Sequence, residues 1–184
     1  MLRYAITDPS YYSSDPLFFS RFLERILRFH AIDMVVLRDK QTSDYETLAR
    51  SFLSLKPHFP ETKFLLHSDE CLAASLGADG IHLPSNAFGR ISHAKSLGLW
   101  TIVSTHTLDE AVEAEQEGAD AVTFSPIFPT PGKGEPKGLE KLKEIKDKIS
   151  IKLFALGGIV TDEQIGAVEG AGADGFASIR YFVE

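Results

Sequence analysis

Short apolar runs alternate along this chain with longer stretches in which apolar residues recur at helical spacing. Leu2–Ile6 reads as a first strand ending at Thr7-Asp8-Pro9. Phe18, Phe22, Ile26 and Phe29 then repeat every three or four residues, with Phe19 and Leu23 widening the stripe into a helix face. Met34–Leu37 is the next strand, and Tyr45, Leu48, Ala49, Phe52 and Leu53 mark the next helix. Residues 64–66 form a third strand, and 71–76 a short helix closed by Gly77. Strands at 81–83, 101–103, 122–124, Lys152–Leu156 and 176–179 follow, with helices at about 88–97, 108–117, 138–148 and 161–170. The pattern predicts eight strands and seven full helices.

An internal repeat punctuates this series. Gly77-Ala78-Asp79-Gly80, Gly118-Ala119-Asp120-Ala121 and Gly172-Ala173-Asp174-Gly175 each follow a helix and precede a strand. Glycine past a helix end supplies the left-handed cap of a tight turn, so these motifs are read as turns remote from any active site.

Four strand ends carry polar or glycine residues: Val103-Ser104-Thr105-His106, Phe124-Ser125-Pro126-Ile127-Phe128-Pro129-Thr130, Leu156-Gly157-Gly158 and Ala177-Ser178. An open doubly wound sheet alternates in the same way, but polar strand ends converge on a single mouth in a (β/α)8 TIM barrel, the fold expected here. With 184 residues, 43% apolar and 24% charged, residues 1–184 make one domain. That is short for a barrel of roughly 250 residues. The eighth helix is expected to be absent or reduced to Tyr181-Phe182-Val183, since residues 180–184 alone follow the last strand in this sequence. The apolar surface left between the first and seventh helices suggests a homodimer.

A net charge of −7 argues against nucleic acid as a partner. Cys71 is alone, residues 1–8 lack the apolar stretch of a secretory signal, and no window approaches the 18 apolar residues of a membrane span. The expectation is a cytoplasmic protein without a membrane partner.

Candidate chemistry centres on His106, just before Thr107-Leu108-Asp109-Glu110, which reads as a capping box opening a helix. A histidine there can take a proton from a substrate and return it. Gly157 and Gly158 allow backbone N–H groups to approach an anion, and Ser178 and Ile179 add contacts from strand eight, where barrels of this type bind phosphate. Arg180 either pairs with phosphate or reaches solvent. Lys133 lies in the Pro- and Gly-rich stretch from Pro129 to Gly138, expected to form a mobile lid that also carries Thr130. His82 alternates into the barrel interior or sits at a ligand edge, and His67 follows strand three at the mouth. His30, His58 and His93 are read as solvated.

Ile6-Thr7-Asp8-Pro9, Leu37-Arg38-Asp39-Lys40, Gly80-Ile81-His82-Leu83, Ser104-Thr105-His106, Pro126-Ile127-Phe128-Pro129-Thr130-Pro131-Gly132-Lys133 and Leu156-Gly157-Gly158-Ile159 appear in this order over nearly the whole chain. As a set they resemble the thiamine phosphate synthase/TenI superfamily. The resemblance implies two activities. The synthase joins a pyrimidine diphosphate to a thiazole phosphate on Mg2+, which needs carboxylate ligands. Its Asn-Asp pair falls here at His67-Ser68 and a further Asp at Ala87, while its glutamine two positions before Arg38 is Val36. Asp69 either restores a metal ligand or caps the following helix.

The tautomerase branch, TenI, is resembled at Leu83-Pro84-Ser85-Asn86 and at Ser104-Thr105-His106. It moves protons within one thiazole carboxylate phosphate and needs no cofactor. On that resemblance His106 is catalytic, Arg38, His67, Pro84, Ser85, Ser104, Thr130 and Lys133 bind substrate, Gly157, Gly158, Ser178 and Ile179 bind phosphate, and no residue binds metal. A Mg2+-dependent synthase, a non-catalytic thiazole- or thiamine-phosphate-binding paralogue and an unrelated phosphosugar barrel are the alternatives.

Overall fold

A computed structural model of the chain describes residues 1–183. Eight parallel strands close in sequence order into a barrel: β1 (Leu2–Ile6), β2 (Met34–Leu37), β3 (Lys63–His67), β4 (Gly80–Leu83), β5 (Trp100–Thr105), β6 (Ala121–Phe124), β7 (Lys152–Leu156) and β8 (Gly175–Ser178). The ring closes where Leu2 pairs with Gly175 and Ala5 with Ser178. Outside it run α2 (Pro16–Phe29), α3 (Tyr45–Leu53), α4 (Glu70–Leu76), α5 (Ile91–Ser96), α6 (Leu108–Gln116), α7 (Gly138–Lys146) and α8 (Asp162–Gly170). A single turn, α1 (Pro9–Tyr12), precedes them and escaped the periodicity because it is too short to show one; its signal is Asp8, whose carboxylate caps it by accepting the Ser10 N–H.

Strand parity divides the core in two. Tyr4, Ile6, Met34, Val36, Leu65, Ile102, Ala121, Phe154 and Ala177 fill the barrel interior. The alternate positions, such as Ala5, Val35, Leu66, Val103 and Phe176, meet the helices in a larger outer layer.

The phase of α2 differs from the expected stripe. Phe19, Leu23, Ile26 and Leu27 are buried, whereas Phe18 is 67% and Phe29 80% exposed. Pro16, capped by Asp15, starts the helix so that Phe18 and Phe29 lie on its flank rather than facing the barrel. That flank borders the place an eighth helix would occupy. Residues 181–183 form only a turn there, in accord with the expected shortening, and Glu184 lies outside the described residues. Phe182 is buried and stacks on Phe176 at 5.8 Å, leaving a groove of about 580 Å3 lined by Phe22, Arg25, Ile26, Phe29, His30, Phe182 and Val183. Among the described residues no helix is long and apolar enough to cross a membrane.

The Gly-Ala-Asp repeats are turns, as their glycines implied: Gly77, Gly118 and Gly172 have φ of 75°, 92° and 92°. Their aspartates do more than the sequence indicated. Asp79 Oδ2 accepts the backbone N–H of Phe64 at 2.8 Å, Asp120 Oδ2 that of Thr101 at 2.7 Å, and Asp174 Oδ2 that of Leu153 at 2.8 Å. Asp33, outside the repeat, accepts from Arg3 at 2.7 Å. Each even-numbered strand is thus stitched at its foot to the odd-numbered strand before it. Lys56, Lys95 and Lys146 pair with Asp79, Asp120 and Asp174 at 2.7, 2.6 and 2.6 Å.

A charge-assisted hydrogen bond from a backbone group is worth about 2 kcal/mol. Asp120→Ala removes the acceptor of the Thr101 N–H and is expected to lower unfolding stability by about that amount, measured by urea denaturation.

Candidate active site

The strand C-termini bring the sequence-predicted residues to one end of the barrel in three groups. The first surrounds a cavity of about 210 Å3 lined by Tyr11, Thr130, Pro131, residues 156–160 and residues 177–180. Gly157, Gly158, Ser178, Ile179 and Thr130 all belong to it. Gly157 has φ 102° and Gly158 φ 69°. A Cβ on Gly157 would lie 2.7 Å from Pro126 Cα, and one on Gly158 2.6 Å from the Pro129 carbonyl oxygen. The glycine pair is therefore demanded twice, by its left-handed backbone and by the β6–α7 loop packed against it.

Ser178 is buried, and its hydroxyl is already committed, donating to the Ile159 carbonyl at 2.8 Å and accepting from the Tyr181 N–H at 3.2 Å. Among the described residues no loop hydrogen bond uses the N–H groups of Gly157, Gly158, Ile179 or Arg180, which leaves backbone donors around the cavity. Thr130 donates to the Phe128 carbonyl. Lys133 is exposed on the loop and is not among the residues lining the cavity.

His106 anchors the second group. Thr107 caps α6 by accepting the Glu110 N–H at 3.2 Å, but the Glu110 carboxylate reaches back to the N–H of His106 at 2.5 Å, one residue earlier than the expected box. This bond fixes the His106 backbone. Its Nδ1 lies 3.0 Å from the Ser125 carbonyl oxygen. A carbonyl only accepts, so Nδ1 carries a proton and donates, and the neutral tautomer this contact selects has its lone pair on Nε2.

The third group was only partly foreseen. Arg38 donates its backbone N–H to Thr7 Oγ1 at 2.9 Å, and its guanidinium faces the Asp8 carboxylate at 3.5 Å. His67, ending β3, lies 2.8 Å from Ser68 Oγ, and its ring meets that of His82 at 5.9 Å. Burial, with Arg38 and Lys40 nearby, holds its pKa down to about 4. His82 points into the barrel, one of the two placements its alternation allowed. Its Nδ1 is 2.8 Å from Tyr4 Oη and its Nε2 2.9 Å from Ser104 Oγ. Burial pushes Tyr4 well up and His82 well down, so both are neutral near pH 7. Pro84 and Ser85 are half-buried in the turn after β4, where the Pro84 carbonyl accepts the Ala87 N–H. No periodicity or motif marked Tyr4 as a partner of His82, because the two are 78 residues apart.

The carboxylates near the mouth do not fit a magnesium site. Asp69 caps α4 by accepting the Leu72 N–H at 2.8 Å. Asp39 accepts from Gln41 N at 2.7 Å, Thr42 N at 2.9 Å and Ser14 Oγ at 2.5 Å, and Asp8 from Ser10 N at 3.0 Å. A hard divalent cation needs carboxylate oxygens converging on one point, and these serve separate turns. Among the described residues no three His, Cys, Asp or Glu side chains gather to hold a metal. His93 is held by Glu70, whose carboxylate Arg90 also grips and keeps at a pKa of about 2. That pair ties α4 to α5.

His67 yields a pH prediction. Its ring takes up a proton near pH 6.5 when unfolded and near 4 when folded, so the unfolded chain binds more protons between those values. Stability is then full above about pH 6.5 and falls as pH drops toward 4, by about 3 kcal/mol from this residue. Urea unfolding at several pH values should show that slope flattened in His67→Asn; an identical slope in the variant contradicts the assignment.

Comparison with known proteins agrees with this geometry. The family TMP-TENI, described as thiamine monophosphate synthase, matches residues 3–182. A protein of Aquifex aeolicus named "Putative thiamine-phosphate synthase 2" is 39% identical over 187 residues, covering 98% of this chain and 97% of that one. The thiamine-phosphate synthase of Methanocella arvoryzae is 34% identical over 160 residues, covering 82% and 74%. The solved structure of thiamine phosphate pyrophosphorylase from Pyrococcus furiosus superposes with a TM-score of 0.82 at 26% identity, covering 97% and 85%. With a family match across nearly all of its length and a barrel of the same architecture, the chain belongs to the thiamine phosphate synthase/TenI family.

Proposed function

We propose that this chain is a thiazole tautomerase that aromatises a thiazole carboxylate phosphate without a metal. The observation that carries the reading is His106, whose Nδ1–H is held by the Ser125 carbonyl so that Nε2 is left as a base at the mouth. In this reading the backbone N–H groups of Gly157, Gly158, Ile179 and Arg180 bind the phosphate, and Arg38 neutralises the carboxylate. Nε2 takes the proton from the ring carbon. The released electron pair forms a new C=N bond in the ring, the existing C=N pair shifts to the adjacent ring C–C bond, and the exocyclic double bond takes the proton back at its outer carbon, so no atom or electron is gained or lost. Lys133 reaches the ligand only if its loop closes over the mouth.

The second reading is the synthase, favoured by the names of the relatives and by Arg38 and Lys133, which suit a diphosphate as well as a carboxylate. The commitment of Asp8, Asp39 and Asp69 to turns and caps weighs against it. A non-catalytic binding paralogue is the third.

General acid–base help contributes about 10²–10⁴-fold. His106→Asn is expected to lose turnover of the non-aromatic thiazole carboxylate phosphate by at least about 100-fold while its affinity for the aromatic product changes little, measured by NMR assay and calorimetry. Full turnover in the variant removes the histidine from the mechanism.

A further inference from the structure

The flank of α2 carries a stripe that the barrel does not use. Phe18, Phe22, Arg25 and Phe29 follow one another at intervals of four, three and four residues, which confines them to about 60° of the helix surface. The face buried on the barrel, Phe19, Leu23, Ile26 and Leu27, is centred about 115° away. Phe18 and Phe29, 67% and 80% exposed, are the two most exposed large apolar side chains among the described residues. Phe22, Arg25 and Phe29 also wall the groove of about 580 Å3 beside Phe182. Single exposed apolar side chains are ordinary, but two phenylalanines on one stripe beside an open groove make a contiguous patch, and such a patch marks a contact.

The order of the stripe says what covers it. Its spacing is the same read from either end, so a two-fold axis crossing α2 between Leu23 and Glu24 lays a second, antiparallel copy of the helix against it in register. Phe18 then meets Phe29 of the second copy, and Phe22 meets Arg25 of the second copy, each pair occurring twice. Phe22 suits a guanidinium, since Arg25 of its own chain already stands 5.5 Å from its ring centroid. Arg21, Glu24 and Arg28 line the solvent side of the stripe. Glu24 pairs with Arg28 at 2.6 Å, whereas Arg21 has no ion pair among the described residues. The two-fold brings Arg21 to within about 3 Å, along the axis, of the level of Glu24 in the second copy, so each carboxylate sits between two arginines. The surplus of arginine over glutamate on the two helices is screened by salt beyond about 8 Å. At about 150–250 Å2 per aromatic side chain, Phe18 and Phe29 offer roughly 300 Å2 per copy at their exposures, and Phe22, Arg25 and the groove walls extend this toward the roughly 800 Å2 per partner of a standard interface. An interface of that size gives a weak dimer, dissociating in the micromolar range.

We propose that the stripe of Phe18, Phe22, Arg25 and Phe29 is a homodimer interface, in which two copies of this chain pack their α2 helices antiparallel about a two-fold axis between Leu23 and Glu24. The inference does not depend on which reaction the mouth performs.

Sedimentation velocity over a concentration series reads the dimer directly. The wild-type chain is expected to pass from monomer to dimer across the micromolar range; a chain that stays monomeric up to millimolar concentration overturns the proposal. Phe18→Ser and Phe29→Ser each remove an aromatic anchor twice per dimer, so each is expected to weaken association at least about 30-fold. Both side chains are largely solvated in a single copy, so the urea midpoints of the dilute variants are expected to match that of the dilute wild type, which separates a lost contact from a lost fold. Association as strong as wild type in both variants overturns the proposal. The register has its own readout. With Cys71, the one native thiol, replaced by serine, Phe18→Cys and Phe29→Cys chains are mixed under mild oxidation. Helices packed about 8–10 Å apart put facing Cα atoms within the about 4.4–6.8 Å that a disulfide spans, whereas like positions in this register lie about 16 Å apart along the axis. A disulfide that forms in the mixture and in neither variant alone is expected. Disulfides within either variant alone, or none in the mixture, contradict the antiparallel pairing and overturn the proposal.

Discussion

A carboxylate at the foot of each even-numbered strand, holding the backbone N–H of the second residue of the strand before it, is the constraint on which the rest of this barrel depends. Asp33, Asp79, Asp120 and Asp174 divide the ring into four strand pairs, each fixed in register at the end remote from the mouth. Strand registers carry the mouth with them, because a slip of one residue turns every inward side chain outward. His82, Ser104 and Thr123 face the interior only while Leu66 pairs with Ile81, His82 with Ile102 and Ser104 with Thr123. The lysines that pair with three of the carboxylates are partly solvated, so the backbone bonds are the stronger component.

Given that frame, the proposed function divides the mouth between two tasks. In that proposal anion binding falls to backbone N–H groups on the β7 and β8 loops, where no side chain has to be held against its own flexibility. Proton transfer is assigned there to His106, whose ring is oriented by a carbonyl and whose backbone is held by Glu110. Between them lies the neutral interior of Tyr4, His82 and Ser104. Carboxylates at the rim are engaged in turns and caps, and the mouth is cationic at Arg38 and neutral at His67 and His82.

Much of this was legible in the residues. The alternation of periods 2 and 3.6 and the polar strand ends pointed to the barrel, and Gly157-Gly158 marked the cavity because glycine is demanded there by backbone and packing alike. Asp69 resolved as a helix cap, one of the two roles its position allowed. Other features could not be read from one dimension. The outward turn of Phe18 and Phe29 depends on where α2 starts and on what covers its flank. The one-residue displacement of the Glu110 contact depends on side-chain reach, which spacing does not encode. The aspartates of the repeats passed as turn residues because their partners are 15 to 21 positions away, and the Tyr4–His82 contact spans 78.

The central claim is that this mouth moves a proton within a thiazole phosphate rather than joining two substrates. Its most direct test is to incubate the purified protein with non-aromatic thiazole carboxylate phosphate, pyrimidine diphosphate and magnesium, with and without chelator, and to follow both products by NMR. The account predicts aromatic thiazole carboxylate phosphate at the same rate in either condition and no thiamine phosphate. Thiamine phosphate that forms with magnesium and vanishes with chelator contradicts it.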